Sequence, residues 1–565
     1  MNYNVRVILT FVISMLIITV WQEYYIKPIS HENPVQQKSV EKIDLQARVT
    51  PKKLESPQAS IAATAQHRLA FDNENISGSI NLIGARLDDL VLKKHYETLE
   101  GKNQVRLLAP ADSDQGYFVE FGWLNEGNKN VTLPNSNSIW RTDSVKAEAG
   151  SNITLYWLSP EGVRFEINYK FDDQFMFAIE QRVTNQSNKT IKLRTYSLLN
   201  RFDPGDFADP DERKNMMVHE GFIGTFDQTL KEISYSDIRD EKGGLELAQQ
   251  SKWLGFSDKY WFTALIPHTK VKSTVNLSHY ILHEKDRYQA DIMSDGFALN
   301  QGDLNQQSYM LFVGPKELDA IDRYQDMYDI TLFDRSIDFG ILYFLTKPTL
   351  ILLHNFYTFV GNFGLAILLL TLVIKTALFP LAYKGYKGMN KLKELQPEVQ
   401  AIQKRYKEEP MRIQQEIMKL YKKNKTNPMS GCLPLLAQMP VFIALYKVLS
   451  VSIEMRHAPF YGWIKDLSYR DPTSVFNLFG LIPWNPPAFM VIGVLPIFMA
   501  ITMYVQQRMN PEPADPTQAR VMRLMPVIFL VLFASFPSGL VLYWSFSNIL
   551  SIVQQYYIKR LGGKK

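Results

Sequence analysis

The chain has 565 residues, of which 46% are hydrophobic and 21% charged, with a mean hydropathy of −0.15; averages of this kind suit a soluble protein of several domains. The charge is divided unevenly, with 37 Lys+Arg against 47 Asp+Glu in residues 1–340 and 25 against 10 in residues 341–565, which argues against a single soluble globule. One cysteine, Cys432, excludes an intramolecular disulfide, a Cys-based zinc site and a CxxC redox pair, and 12% aromatics exclude a disordered or collagen-like chain.

In chain order, residues 7–21 (VILTFVISMLIITVW) form the first apolar run, preceded by Arg6. No small-x-small cleavage pattern follows; Trp21, Tyr24 and Tyr25 stand there as an interfacial belt. Residues 1–27 therefore read as an uncleaved transmembrane anchor with a cytoplasmic start. Residues 28–65 are polar, carry prolines at 28, 34, 51 and 57, lack sustained periodicity, and read as a flexible tether.

Residues 66–335 read as a large exported all-β domain. Phe165, Ile167, Tyr169 and Phe171 alternate with polar residues. The same period recurs at Phe175–Ile179, after the turn-like 185–188, and at Val275–Ile281. Strands at this spacing predict antiparallel sheets packed as a sandwich. His67, His95, His219, His268, His279 and His283 show no metal-ligand spacing. The acidic cluster Asp203, Asp206, Asp209, Asp211 and Glu212 reads as a solvated loop rather than a metal or sugar site. Residues 316–330 predict an acidic helix, and 337–350 a stretch too short to span a bilayer that lies along its surface.

Five further apolar segments follow, near 356–380, 432–451, 489–507, 524–537 and 539–557. The last two meet at Phe536-Pro-Ser-Gly539 and predict a hairpin. Loop 381–430 holds 12 Lys+Arg against 5 Asp+Glu; loop 508–523 holds Arg508, Arg520 and Arg523; the tail 559–565 is basic. The positive-inside rule puts all three in the cytoplasm, both termini inside, and the β domain outside. The chain then divides into an interfacial helix and second span over 336–380, a basic cytoplasmic hairpin over 381–430, four spans over 431–558 and the tail.

Within loop 381–430, Leu392, Leu395, Val399, Ile402 and Tyr406 recur at helical spacing, as do Ile413, Ile417 and Leu420 after Pro410. Two amphipathic helices joined at Pro410 are predicted, displaying Lys391, Lys393, Lys404, Arg405, Lys422 and Lys423. Such a hairpin suits anionic lipid headgroups, ribosomal RNA or another acidic partner, or simply fixes topology.

Lys375 lies inside span 356–380, one turn after Thr371. A lysine there costs ~2.5–3.5 kcal/mol on insertion scales. Either it snorkels to the cytoplasmic headgroups, or it faces a hydrated cavity between helices. Gln438 in span 432–451 and Ser545, Ser547 and Asn548 in the last span, beside Tyr543 and Trp544, support the second reading, and no span contains an acidic residue. A cationic cavity without a counter-ion is suited to an anion. Prolines at 380, 434, 440, 496 and 526 are expected to kink the helices and hold it open. The missing carboxylates count against proton-coupled transport.

Several motifs then carry a resemblance. They are Leu378-Phe-Pro-Leu381; Asn427-Pro-Met-Ser-Gly-Cys-Leu-Pro-Leu-Leu-Ala-Gln-Met-Pro440; Ala458-Pro-Phe460 with Trp463-Ile-Lys-Asp-Leu-Ser468; Met525-Pro526; and Phe536-Pro-Ser-Gly-Leu-Val-Leu-Tyr543. With them the chain resembles the YidC-type membrane protein insertases (the YidC/Oxa/Alb family) in their long Gram-negative form, specifically over 338–560 and more loosely in the β domain. The resemblance implies a periplasmic β-supersandwich without catalysis and a five-helix core around a hydrophilic groove open to cytoplasm and lipid. It puts Lys375 in the place of the groove cation, usually arginine, and puts Thr371 with Tyr543 and Trp544 among groove-lining, client-contacting residues. Trp544 stands where a second tyrosine is common.

The expectation is a non-enzymatic, cofactor-free inner-membrane insertase and chaperone. Its partners would be nascent membrane proteins, the Sec translocon, a ribosome or targeting receptor, and anionic lipids. The alternatives are a membrane-anchored periplasmic sugar-binding or sugar-acting protein and a small-solute transporter.

Overall fold

The computed structural model describes residues 54–127, 131–144, 146–203, 218–241, 244–247, 251–268, 272–407, 409–426, 433–484, 487, 491–510 and 516–562. The anchor, most of the tether, most of the acidic cluster and Cys432 lie outside the described residues. The chain divides into two units, β-rich up to Ser336 and helical from Ile337 onward.

The β-rich unit holds an 11-stranded and a 9-stranded sheet, almost entirely antiparallel. Strand Met176–Asn185 is hydrogen-bonded to Val163–Phe171 on one side and to Leu304–Pro315 on the other. Val163–Phe171 buries every second residue, so period-two patterning becomes one core-facing surface. Aromatics fill that core. Phe71, Phe171 and Phe177 meet at centroid distances of 5.5–5.7 Å, and Trp123 packs on Phe165 at 5.0 Å. The acidic helix forms over Leu318–Tyr328 and ends on Asp329 in the left-handed conformation. Its Tyr324 hydroxyl donates to Asp172 at 2.6 Å.

Residues 54–65 depart from the expected tether. Ser56 caps a helix over Pro57–Ala63, and Glu55 exchanges backbone hydrogen bonds with Asp112 and Asp114. Short polar stretches carry little periodicity, so composition alone does not reveal such docking. His95 meets Glu317 at 3.4 Å and His279 meets Asp286 at 2.7 Å; among the described residues no cluster of three metal-ligating side chains occurs.

The helical unit comprises α1 (Tyr343–Val360), α2 (Phe363–Ala377), α3 (Phe379–Glu394), α4 (Gln396–Arg405), α5 (Pro410–Lys423), α6 (Leu433–Val451), α7 (Val494–Met509), α8 (Pro516–Phe533) and α9 (Ser538–Gly562). Among the described residues no single helix is long and apolar enough to cross a membrane; α2 with α3, bent by 65°, qualifies as a pair.

Three expectations change here. Span 356–380 is not one helix. Gly361, at φ 69°, ends α1, and Asn362 caps α2 through the Leu365 N–H at 3.1 Å. Tyr357 and Phe363 stack across the break at 3.8 Å. The stretch 337–350 therefore continues into an 18-residue helix rather than forming a separate short one. Of the five prolines expected to kink helices, only Pro440 and Pro526 lie in helix interiors. Pro380, Pro434 and Pro496 occupy first turns, where the missing N–H costs nothing.

One end of the bundle is laced by the segment after α6. Asn362 donates to the Pro459 carbonyl at 3.2 Å, and Gly539 N–H to that of Leu467 at 2.9 Å. Buried Asp471 accepts the Leu495 N–H at 2.8 Å and holds Thr473, whose hydroxyl accepts the Val494 N–H at 3.0 Å. The starts of α2, α7 and α9 are thus tied together, with a carboxylate at the positive end of α7.

Asp291 in the β-rich unit is 4% exposed and accepts from Asn276 at 2.9 Å and Gln289 at 3.0 Å. Burial raises its carboxyl above the ordinary 3.8, and the two amides only partly oppose this. A carboxyl raised in the folded state binds its proton more tightly there than in the unfolded chain. Its contribution is thus fully present below the unfolded value and is lost as pH rises through the folded one. Asp291→Asn is expected to flatten the fall in stability as pH rises above about 4. Thermal melts of the full chain, followed through the buried Trp123 and Trp253, provide the measurement.

Candidate functional site

The helix α2 is almost wholly apolar until its last turn, where Lys375 appears. Twelve residues from Phe363 put this lysine ~18 Å along the axis from the laced end. Lys375 Nζ does not trail away from the bundle. It donates to the buried Ser551 hydroxyl on α9 at 2.9 Å, and Ser551 in turn donates to the Ser547 carbonyl at 2.9 Å. Gln554, less than a turn on, donates to the Lys375 carbonyl at 3.3 Å. Among the described residues no carboxylate pairs with this ammonium. The side chain is half-buried, so its charge is neither in bulk water nor sealed in.

A second lysine within a span was missed by sequence reasoning. Lys447 on α6 pairs with Asp338 at 2.8 Å, and both are nearly buried (13% and 14% exposed side chains). No span contains an acidic residue, so nothing in the hydropathy pattern assigns Lys447 a partner. Asp338 comes from outside the spans, 109 positions earlier. Ser551 was also missed: serine at i, i+4 from Ser547 commonly satisfies its own helix and gives no sign of a second partner.

The other candidates fall into separate settings. Gln438 on α6 donates its amide to the Tyr543 hydroxyl, and Tyr543 is buried. Trp544, the next residue, faces an aromatic box of Phe442 at 4.9 Å, Phe533 at 5.4 Å and Phe529 at 6.1 Å. Among the described residues its buried indole N–H has no hydrogen-bond partner. Asn548 donates to Thr502 on α7 at 3.1 Å. Thr371 and Ser545 are buried and return their hydroxyls to Ile367 and Val541 of their own helices. The structure therefore joins Lys375 to Ser551 and Gln438 to Tyr543, and turns Trp544 toward α6 and α8. Only Lys375, Gln438 and Trp544 of this set keep partial exposure.

The six hairpin cations are all exposed. Lys391 and Lys393 lie on α3, continuous with the bent span, and Lys393 reaches the Met509 carbonyl at 3.3 Å. Lys404 and Arg405 end α4, and Lys422 and Lys423 end α5, where cations favour the helix C-terminus.

Polar bonds from α9 to α2, α6 and α7 hold an apolar bundle in register. Such bonds are worth ~0.6 kcal/mol on average in membranes and up to ~1.7. Tyr543→Phe, which leaves the Gln438 amide without its acceptor, is expected to cost within that range; Asn548→Ala likewise frees Thr502. Thermal denaturation of the full chain in detergent measures both.

Residues 68–352 match the family described as YidC periplasmic domain, and residues 355–565 that described as 60Kd inner membrane protein. The membrane protein insertase YidC of Rickettsia bellii (strain OSU 85-389) is 45% identical over 569 residues, covering 99% of this chain and 100% of that one. That of Rickettsia conorii (strain ATCC VR-613 / Malish 7) is 44% identical over 567 residues and covers 100% of both. Among solved structures, an active YidC insertase with its first transmembrane domain resolved aligns over 87% of this chain and 92% of its own, at 19% identity and TM-score 0.37. A galactose mutarotase related enzyme from Lactobacillus acidophilus aligns over 44% and 97%, at 12% identity and TM-score 0.32.

Proposed function

Since the chain belongs to the YidC family of membrane protein insertases, we propose that it receives its clients at Lys375. The protein is an inner-membrane insertase with a periplasmic β-rich domain, and it acts on nascent membrane proteins. Its relatives support this reading and not the sugar-acting alternative.

One observation carries the proposal for the site. Of the two lysines that fall inside the apolar segments, Lys447 is neutralised by Asp338, whereas Lys375 rests on a hydroxyl. A neutral partner satisfies one N–H but leaves the positive charge unbalanced. A client carboxylate approaching from the cytoplasm replaces a neutral hydrogen bond with a charge-assisted one, roughly twice as strong. The low dielectric around α2 and α9 increases the difference. Once its polar tail is held there, less of the tail has to cross the apolar core unsolvated.

The client's apolar helix then leaves along the bundle surface. Leu372 and Val373 on α2, Val527 and Val531 on α8, and Val553 on α9 are exposed apolar side chains suited to that path. Transfer of apolar surface to lipid drives the step, and the membrane potential assists acidic tails. No covalent step or cofactor enters this scheme.

The positive-inside pattern supports cytoplasmic termini, a periplasmic domain exported between the anchor and α2, and a cytoplasmic hairpin. In that arrangement the exposed cations of α3–α5 meet a ribosome, a targeting receptor or anionic headgroups, and the insertase works alone or beside the Sec translocon.

Lys375→Gln is expected to reduce insertion of a single-span client with an acidic tail several-fold, while Lys375→Arg retains it. A photo-crosslinker at position 375, facing a stalled nascent chain, is expected to give an adduct. Unchanged insertion by Lys375→Gln, together with adducts only from positions far from α2 and α9, would remove Lys375 from the mechanism.

A further inference from the structure

Between Asp471 and Arg508 the sequence contains no charged residue. The described part of this run outside the α-helices includes Ser474–Trp484, between α6 and α7, where Ser474 caps a distorted 3-10 helix over Val475–Gly480. Its backbone is ordered by its own hydrogen bonds. Phe479 N–H donates to the Ser474 carbonyl at 2.8 Å, Ile482 N–H to that of Asn477 at 3.0 Å, and Val475 N–H to that of Ile492 at 3.1 Å.

This compact loop directs its apolar side chains outward. Phe476 (44% exposed), Leu478 (52%), Phe479 (52%), Leu481 (83%), Ile482 (43%) and Trp484 (45%) form one uncharged surface. Leu478 (φ 50°, ψ 47°) and Phe479 (φ 59°, ψ 32°) both hold the left-handed conformation that bulky residues avoid. Strain retained to expose leucine and phenylalanine has no rationale in water.

We infer that Ser474–Trp484 is immersed in the outer leaflet of the inner membrane, as a wedge at the level of the headgroups and upper acyl chains. The uncharged run continues without interruption into α7, whose Phe498 and Ile501 are themselves exposed. The surface is therefore an extension of the one that lipid covers on the bundle. Trp484 and the two phenylalanines suit the interface, where aromatic rings concentrate. The lacing through Asp471 and Thr473 fixes the loop's base to the start of α7, which sets its depth. The assignment to the outer leaflet rests on the orientation proposed above.

The test uses the full chain carrying Cys432→Ser and one new cysteine, Phe479→Cys, Leu481→Cys or Lys465→Cys, labelled with an environment-sensitive fluorophore. It is reconstituted in vesicles of phosphatidylethanolamine and phosphatidylglycerol. At 479 and 481 the label is expected to be quenched several-fold more by a lipid nitroxide just below the headgroup than by aqueous iodide, with the reverse at 465. Iodide quenching at both 479 and 481 would overturn immersion. Protection from iodide and nitroxide alike would also overturn it, and would identify a protein partner or a second copy as the cover. Labelling of Lys465→Cys by an impermeant maleimide on spheroplasts reports orientation separately. Reaction only after permeabilisation would refute the outer leaflet, while the nitroxide result would still decide immersion.

Discussion

A polar group inside a membrane bundle must find its partner within the protein, and α9 is the element that supplies most of those partners. From this one helix Ser551 takes the Lys375 ammonium, Gln554 takes the Lys375 carbonyl, Tyr543 takes the Gln438 amide and Asn548 reaches Thr502. Three neighbouring helices are thereby fixed on a polar stripe of α9, which also carries Trp544 with its aromatic contacts to α6 and α8. Without the stripe the apolar helices would have little to choose between registers, since lipid is as good a solvent for leucine as a neighbouring helix is.

The same economy of partners distinguishes the two lysines. A carboxylate partner, as at Lys447, turns a charge into a structural fastener between 337–342 and α6. A hydroxyl partner, as at Lys375, holds the side chain in place without cancelling its charge. In the mechanism proposed above, this leaves one cation oriented and available to an incoming acidic segment. The difference between the two lysines lies in the identity of a single partner atom.

The two ends of the bundle are built differently. At one end backbone carbonyls of the segment after α6, together with Asp471 and Thr473, tie down three helix starts. At the other, α2 bends by 65° into α3 and gives way to exposed basic helices. A tied end and a solvated end suit a device that admits polypeptide from one side only. The uncharged loop beyond Asp471 adds a lipid-facing element to the tied end.

The architecture was legible where the signal is local. Alternation at Phe165, Ile167, Tyr169 and Phe171 announces a half-buried strand, because the pleat repeats every two residues. The charge division announces an exported acidic part and a membrane part, and the motifs from Leu378 to Tyr543 announce the family. What the sequence left open was every pairing between distant residues. Hydropathy stays high across Gly361 and Asn362, so the break there depends on a left-handed backbone and a cap rather than on composition. Tyr543 and Trp544 are adjacent in sequence, yet a helix turns ~100° per residue and sends them to different neighbours. Only the tertiary structure decided that Lys375 meets Ser551 and Lys447 meets Asp338, 176 and 109 positions away, because a partner in a folded chain is chosen by proximity in space and not along the sequence.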